Sequence, residues 1–142
     1  MEYTVPIKVI IPGNAKGEAI VSPDPISFLG EIDPMSGRIT SKTNLIHDRV
    51  ISNKIFVFPQ GRGSTVGSYV IYNLKFFNSA PLAFVVNRAE TIIVAGAILA
   101  DIPLVESKQY DVTRIISSGD LVEIDSFNGL LKIKKNSAIK SN

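Results

Sequence analysis

Apolar runs separated by turn-forming residues predict short β-strands towards both ends of the chain. The predicted strands cover residues 5–11, 18–22, 26–29, 120–125 and 130–134. Pro12-Gly13-Asn14 ends the first strand as a turn, and Asp33-Pro34-Met35-Ser36-Gly37 predicts another turn within a loop over 30–38. Residues 120–125 alternate in polarity, and Asn128-Gly129 predicts a tight hairpin turn into the last strand. These patterns favour antiparallel strands.

The middle of the chain has a different pattern, in which continuous apolar runs alternate with helical periodicity. The runs at 55–58, 82–86 and 102–105 predict strands, and the first two have the composition of strands buried on both faces. The apolar residues that predict a helix after the first run are Val66, Val70, Leu74 and Phe77. A second helix is predicted over 89–100, and its predicted inner side consists of Ile92, Ala95, Ile98 and Leu99.

The order strand–helix–strand–helix–strand with short joints predicts parallel pairing and right-handed crossovers. The sequence contains no internal repeat and no break in composition, so residues 1–142 are predicted to form one domain. The expected fold class is α/β, with a small parallel βαβαβ centre flanked by antiparallel strands from both ends.

Composition and charge narrow the classes of protein to which the chain can belong. Its 45% hydrophobic and 20% charged residues are ordinary for a soluble globular protein. No apolar run reaches the roughly 18 residues that cross a bilayer, and the first residues lack a secretory pattern, so a cytoplasmic protein without membrane contact is expected. The 15 basic and 13 acidic residues are too balanced to predict nucleic-acid binding. The basic run at 132–135 is interpreted as a solvated edge strand.

The chain contains no cysteine and a single histidine, His47, which lies in the polar stretch 44–49. Iron–sulfur clusters need several thiolates, and zinc sites are usually built from cysteine or histidine. His47 is therefore interpreted as a loop residue, and no metal-binding residue is predicted. Any metal that takes part in the function would have to be held by another chain.

A glycine-rich loop, residues 59–68, follows the first of the central apolar runs. Its three glycines leave backbone N–H groups accessible, and Arg62 adds a positive charge close to the expected helix start. The loop lacks the Gly-Lys-Ser/Thr ending of a P-loop, the Gly-x-Gly-x-x-Gly spacing of dinucleotide sites and the Gly-x-Ser-x-Gly elbow of hydrolases. The residues alone leave two interpretations open. Either Ser64 caps the helix beside a tight turn, or the loop binds a carboxylate or phosphate.

Residues 61–70 resemble the Gly-Arg-Gly-Ser-x-x-Gly-Ser motif of the aconitase X small subunit, a swivelling β/β/α domain. The resemblance covers roughly residues 13–106, and further matches follow in order: Gly17-Glu18-Ala19, Pro25-Ile26-Ser27-Phe28, Asp33-Pro34, Ala89-Glu90-Thr91-Ile92, Gly96-Ala97-Ile98 and Asp101-Ile102-Pro103. This ordered set is far more specific than the loop alone. The chain departs from the family pattern at Leu29-Gly30-Glu31, where many relatives have a tryptophan and a second glycine, and at Thr65-Val66, where the family has a pair richer in hydroxyls.

In this family the small subunit pairs with a large subunit that holds an iron–sulfur cluster or an iron centre, and a cluster of the 4Fe–4S type is expected here. The resemblance therefore implies a hydro-lyase subunit that is active only with its large subunit, as a heterodimer or larger assembly. Archaeal two-chain members convert (R)-5-phosphomevalonate to trans-anhydromevalonate 5-phosphate in a modified mevalonate route to isoprenoids, and this phosphorylated hydroxy acid is the expected substrate. Two alternatives stay open: the small subunit of a cis-3-hydroxy-L-proline dehydratase, and a non-catalytic anion-binding or regulatory module.

The family's catalytic serine falls on Ser64, and the resemblance implies that Ser64 is the base that takes the proton beside the substrate carboxylate. The iron of the partner is implied to act as a Lewis acid on the departing hydroxyl. Because serine is a poor base at neutral pH, its alkoxide would need support from Arg62, the helix start and the loop N–H groups. The residues expected to contact substrate are Arg62, Gly63, Thr65 and Ser68.

Two acidic residues that match family positions are interpreted as structural. Asp33 is expected to form a turn, and Glu90 is expected to complement the dipole at the start of the second helix. An apolar face for the partner is also expected. Its candidate residues, each of which could equally lie in the core, are Leu29, Ile32 and Met35.

Overall fold

Residues 1–136 are described by the structure, a computed structural model, and they form three layers. The strands are β1 (Glu2–Pro6), β2 (Lys8–Ile11), β3 (Ala15–Val21), β4 (Ile32–Asp33), β5 (Arg38–Ile39), β6 (Ile55–Phe58), β7 (Ala83–Val86), β8 (Leu104–Glu106), β9 (Leu121–Asp125) and β10 (Leu130–Lys134). The helices are α1 (Phe28–Glu31), α2 (Gly67–Phe76), α3 (Thr91–Ala100) and α4 (Val112–Ile115). None of the helices in this part of the chain has the length and apolar character that crossing a bilayer demands.

The parallel centre predicted from the sequence is confirmed. β6, β7 and β8 pair in parallel, with Ile55 beside Ala83 and Phe84 beside Leu104, and β3 pairs in parallel with the other edge of β6. The connecting helices α2 and α3 pack against each other, and the cluster of buried side chains between them and the sheet has aromatic rings at its centre. These rings, whose centroids lie 4.6–6.4 Å apart, belong to Phe28, Phe56, Phe58 and Phe84.

A second, antiparallel layer covers the other face of the parallel strands. It consists of β1, β10, β9 and the first part of β3. Residues 15–18 of β3 pair with β9, whereas residues 19–21 pair with β6, so this strand passes from one layer into the other. Apolar side chains from both layers meet in one buried cluster, including Val57 and Val85 from the parallel layer and Val122 and Ile124 from the antiparallel one. The layer order is therefore β/β/α.

The strand predicted at 26–29 is wrong. Ile26 forms an isolated bridge to Gly61, and Phe28 begins the helical turn α1. The Phe28 ring is fully buried among the aromatic rings beneath the helices. The apolar residues of this segment anchor a turn to the core because their burial, and not strand pairing, holds them in place. The following turn is confirmed, since Gly37 N donates to Asp33 O at 2.7 Å and the turn connects the short strands β4 and β5.

The predicted inner side of α3 is also wrong. Ile98 and Leu99 are exposed, Ile92 and Ala95 are partly buried, and the buried residues are Ile93, Gly96, Ala97 and Ala100. A Cβ at Gly96 would lie 2.4 Å from Ile71 Cδ1, so α2 approaches the small residues of α3 closely. In α2, Val70 and Leu74 are buried as predicted, whereas Val66 and Phe77 at the ends of the predicted stripe are exposed.

The basic run at 132–135 does not form an edge strand, because β10 lies between β1 and β9. Lys135 is almost buried and forms an ion pair with Asp120. Burial alone would raise the pKa of Asp120, but hydrogen bonds from Lys135, Ser117 N and Asn136 N outweigh it and lower that pKa. Part of the basic run therefore belongs to a buried polar contact of the antiparallel layer.

Candidate active site

The glycine-rich loop lies at the carboxyl end of β6, and its first half is held between two other segments. Arg62 N donates to Ile26 O at 2.9 Å, which ties the loop to the turn before α1. On the other side, a Cβ at Gly61 would lie 2.3 Å from Glu90 Oε1 and 2.7 Å from Ile93 Cγ1. Glycine is required here because the start of α3 leaves no space for a side chain.

Gly63 turns the chain with a φ of +89°, a left-handed conformation that residues with a side chain rarely adopt. From this residue onwards, three successive backbone N–H groups, those of Gly63, Ser64 and Thr65, have no hydrogen-bond acceptor within residues 1–136. Successive unpaired N–H groups beside a helix start are a backbone feature that binds anionic oxygens. The loop thus has the donors that a carboxylate or phosphate needs.

Ser64 is exposed, and its side chain lies at the entrance to α2. Its Oγ accepts a hydrogen bond from Val66 N at 3.1 Å, and its carbonyl accepts one from Gly67 N at 2.9 Å. The cap position of α2 is occupied by Val66, which makes no side-chain cap. Ser64 therefore stands two residues before that cap position, in a turn that leads into the helix. A charge on Oγ would face one backbone donor and the positive end of the helix dipole.

Arg62 brings its guanidinium to the loop, with 56% of the side chain exposed. Its Nη2 donates to Glu31 Oε2 at 3.0 Å, and its Nε makes a long contact of 3.4 Å with Pro25 O. Nη1 has no acceptor among the described residues. Sequence reasoning missed Glu31, because 31 positions separate it from Arg62 and only the fold brings them together.

The other two predicted substrate contacts differ in accessibility. Thr65 is exposed next to Ser64, whereas Ser68 is 8% exposed and lies in the first turn of α2. The Ser68 hydroxyl donates to Thr65 O at 3.0 Å. The structure therefore brings Arg62, Gly63, Ser64 and Thr65 to one surface, and Ser68 supports that surface from within.

The acidic residues that were interpreted as structural make local contacts. Glu90 accepts hydrogen bonds from Ile92 N at 2.8 Å and Ile93 N at 2.9 Å, so it caps α3. Asp33 accepts hydrogen bonds from Ser36 Oγ and Met35 N, which lower its pKa. Both assignments made from the sequence are confirmed.

Metal ligation by this chain is not supported by its residues. The sequence has no cysteine, and residues 1–136 contain no group of three or more histidine, aspartate or glutamate side chains placed to hold an ion. His47 lies in a turn, where its Nδ1 is 3.4 Å from Asp48 Oδ2. The donor set that an iron–sulfur cluster requires is therefore not supplied here.

The three residues considered as partner contacts fall into two groups. Leu29 and Met35 are exposed, at 48% and 66% respectively. Ile32 is 3% exposed and belongs to the core between the sheet and the helices. The first two residues are thus available to another chain, and Ile32 is not.

Comparison with known proteins gives one consistent result. Residues 4–133 match the model of a family described as the aconitase X swivel domain. The phosphomevalonate dehydratase small subunit of Thermococcus kodakarensis is 48% identical over 124 residues, which cover 87% of this chain and 91% of that protein. The subunit of the same name from Methanococcoides burtonii is 44% identical over 126 residues, covering 89% of this chain and 92% of that protein.

A solved structure extends the similarity to the fold. The crystal structure of Thermococcus kodakaraensis aconitase X in its holo-form matches with a TM-score of 0.87 and 45% sequence identity. The match covers 94% of this chain and 99% of that chain. The β/β/α fold class expected from the sequence is therefore confirmed.

Proposed function

This chain belongs to the aconitase X swivel-domain family, and we propose that it is the small subunit of a phosphomevalonate dehydratase. In this proposal, residues 1–142 act as one swivel-type domain that pairs with a large subunit in the cytoplasm. The complex converts (R)-5-phosphomevalonate to trans-anhydromevalonate 5-phosphate. The observation that carries the proposal is the exposure of Ser64 just before α2, among three backbone N–H groups that have no acceptor within residues 1–136.

The reaction removes a proton from the carbon beside the carboxylate and a hydroxyl from the next carbon. A carbon–carbon double bond forms, and the departing hydroxyl takes up a proton and leaves as water. Ser64 Oγ, as an alkoxide, accepts the proton from carbon. The Val66 N–H, whose nitrogen lies 3.1 Å from Oγ, and the start of α2 stabilise the charge on that oxygen, so the alkoxide is more populated here than it is for serine in water.

Binding of the substrate's anionic groups falls to the neighbours of Ser64. The N–H groups of Gly63 and Thr65 and the guanidinium of Arg62 donate to carboxylate or phosphate oxygens, with the shorter, stronger bonds of charged partners. Ser68 holds the first turn of α2 through its bond to Thr65 O. Fixed donors reduce the reorganisation needed when the substrate's charge arrives.

The large subunit supplies the iron–sulfur ligands that this chain lacks. The ligands of the 4Fe–4S cluster lie in the large subunit in this proposal, since the small subunit has no thiolate. When bound there, the cluster supplies Lewis-acid chemistry for the departing hydroxyl. The active site is therefore complete only when the exposed loop of this chain faces the large subunit.

The test is reconstitution with the large subunit under anaerobic conditions with iron. Loss of water is followed by mass and proton NMR for (R)-5-phosphomevalonate and, in parallel, for cis-3-hydroxy-L-proline. We expect the complex to dehydrate (R)-5-phosphomevalonate and not cis-3-hydroxy-L-proline. Preference for the hydroxyproline would replace the proposed substrate, and a chain that forms no complex yet binds inorganic phosphate by itself would indicate a non-catalytic module.

A further inference from the structure

Glu31 is held by one hydrogen bond to its side chain and one to its backbone, and these give its carboxylate a fixed position. Glu31 Oε1 accepts a hydrogen bond from Ser27 N at 2.6 Å, and Glu31 O accepts one from Thr40 N at 2.9 Å. The side chain is 19% exposed, so it is largely withdrawn from solvent. Its second oxygen, Oε2, is the one that receives Arg62 Nη2.

Arg62, in contrast, has few restraints of its own. More than half of its side chain is exposed, and apart from Glu31 its guanidinium makes only the long Nε contact with Pro25 O among the described residues. A long side chain in this situation samples several rotamers, and a substrate must then order it on binding. The ion pair with Glu31 removes much of that freedom beforehand.

The ion pair between Glu31 and Arg62 is better explained by its placement of the guanidinium than by a contribution to the stability of the fold. An ion pair whose cation is more than half exposed contributes little to the free energy of unfolding, because solvent screens it. A guanidinium carries five N–H donors in a planar fork, so one edge can be held while the other binds a ligand. Here Nη2 and Nε face protein oxygens, and Nη1 has no acceptor within residues 1–136.

We infer that Glu31 is a positioning residue, which orients Arg62 so that its Nη1 edge meets an anionic group of the substrate. This inference rests on the proposed function, because it assigns Arg62 to substrate binding. Glu31 contacts Arg62 and acts through it. The anionic oxygen that Nη1 binds belongs to the carboxylate or the phosphate of the hydroxy acid.

The test is Glu31→Gln in the reconstituted complex. The amide oxygen can still accept from Ser27 N, but the charged contact with Arg62 is lost. KM is expected to rise about three- to tenfold, the equivalent of ordering one long side chain, while kcat changes less than about twofold. A fall in KM would mean that Glu31 competes with the substrate, and an unchanged KM would mean that Arg62 needs no positioning. Either result would overturn the inference.

Two controls separate positioning from a general effect. Glu18→Gln removes a carboxylate that pairs with Lys54 at 3.0 Å outside the loop, and it is expected to leave KM unchanged. In an Arg62→Ala background, Glu31→Gln should raise KM no further, because its effect passes through Arg62. An equal additional rise in that background would contradict the inference.

A second measurement keeps the inference testable if the wild-type complex dehydrates neither substrate, a result that would refute the proposed function. The Nε–H resonance of Arg62 is followed by NMR in the full chain, with and without Glu31→Gln. Faster hydrogen exchange at this Nε–H in the variant is expected if Glu31 holds the guanidinium. Identical exchange in both proteins would overturn the positioning role.

Discussion

Two strand–loop–helix units lie side by side in the parallel layer, and they begin their helices in opposite ways. Between β7 and α3, Ala89 N donates to Glu106 Oε2 at 2.7 Å, and Glu90 caps Ile92 N and Ile93 N. Between β6 and α2, the cap position is occupied by Val66, whose side chain cannot cap, and three N–H groups lack acceptors among the described residues. The first junction is closed by carboxylates, and the second is open.

The difference indicates which junction is available to a ligand. Both units have a ten-residue helix on the same side of the sheet, so neither fold class nor helix length distinguishes them. Unpaired N–H groups are tolerated at the open junction because Gly63, Ser64 and Thr65 are exposed to water. An anion that replaces that water gains the favourable field of the helix start, whereas at the closed junction Glu90 and Glu106 already accept from Ala89 N, Ile92 N and Ile93 N. The contrast supports our proposal that the open junction binds the ligand, while the capping bonds of the closed junction stabilise α3.

The largest expected effect comes from Ser64→Ala, which removes the proposed base from the open junction. Turnover of the reconstituted complex should fall about a hundredfold or more, the usual range for a lost general base. The unfolding midpoint should stay within about 2 °C, because the side chain is exposed and its loss leaves no cavity. Ser36→Ala, which removes another exposed hydroxyl, serves as the control and should retain full turnover. Near-normal turnover in Ser64→Ala would end the assignment of Ser64 as the base.

Gly63→Ala should have a smaller effect that combines stability and activity. The left-handed backbone at this position and the 2.5 Å approach of a new Cβ to Ser27 Oγ are expected to cost about 1–2 kcal/mol. The row of free N–H groups would shift, and kcat/KM should fall about tenfold. Gly129→Ala is the matched control, since its φ of +65° lies in the turn between β9 and β10. It should lower the unfolding midpoint without lowering kcat/KM, and equal losses of kcat/KM in both variants would remove the special role of the loop.

The fold features that the sequence predicts correctly are those with local signals. β6 and β7 are continuous apolar runs, and the hairpin turn before β10 contains Asn128-Gly129. The inner side of α3 has no local signal, because apolar or small residues occupy almost the whole helix. Its orientation is decided by the contact between Gly96 and Ile71 of α2, which is a tertiary property.

The candidate site likewise combines residues that have a local sequence signal with residues that only the fold brings together. Ser64 and Arg62 lie in one short motif with recognisable glycines, so the pattern alone reduces the interpretations to a helix cap beside a tight turn or an anion-binding loop. Glu31 and Ile26 reach that loop from another segment, and no spacing rule predicts their contacts. An extended strand at 26–29 would pair within the sheet, so that prediction gave no indication of contacts with the loop.

Glu90→Ala tests the closed junction. Loss of two backbone hydrogen bonds at the start of α3 should lower the free energy of unfolding by about 1 kcal/mol, which corresponds to about 4 °C in the unfolding midpoint. Turnover at permissive temperature should stay within about twofold of wild type. Glu90→Gln keeps one of the two acceptor oxygens and should recover part of the loss. A tenfold fall in turnover with an unchanged midpoint would assign Glu90 to the chemistry, and the contrast between the two junctions would fail.

The smallest expected effect is on the stability of the fold in acid, and it comes from a carboxylate at the closed junction. Asp111 caps α4 and accepts from Asn87, which follows β7 at the closed junction. Hydrogen bonds from the Thr113 hydroxyl and the Asn87 amide lower the pKa of Asp111 below its ordinary value of 3.8. A lowered folded-state pKa means that Asp111 stabilises the fold fully above pH 3.8 and loses this contribution as pH falls through the folded-state value. Because its side chain is 45% exposed, solvent screening limits the contribution to about 0.5 kcal/mol or less.

Asp111→Asn should therefore flatten the decline of the unfolding midpoint in acid, and near neutral pH it should lower the midpoint by no more than about 2 °C. The amide can still cap α4, since asparagine is as good a cap as aspartate, but it does not titrate. Thermal unfolding from about pH 3 to pH 6 measures the effect, and Asp48→Asn, which alters a carboxylate that pairs with Arg38, is the control. Parallel acid profiles for wild type and Asp111→Asn would show that the carboxylate does not stabilise this junction. At the open junction, by contrast, the proposed ligand is bound by backbone N–H groups, which stay protonated throughout this range of pH.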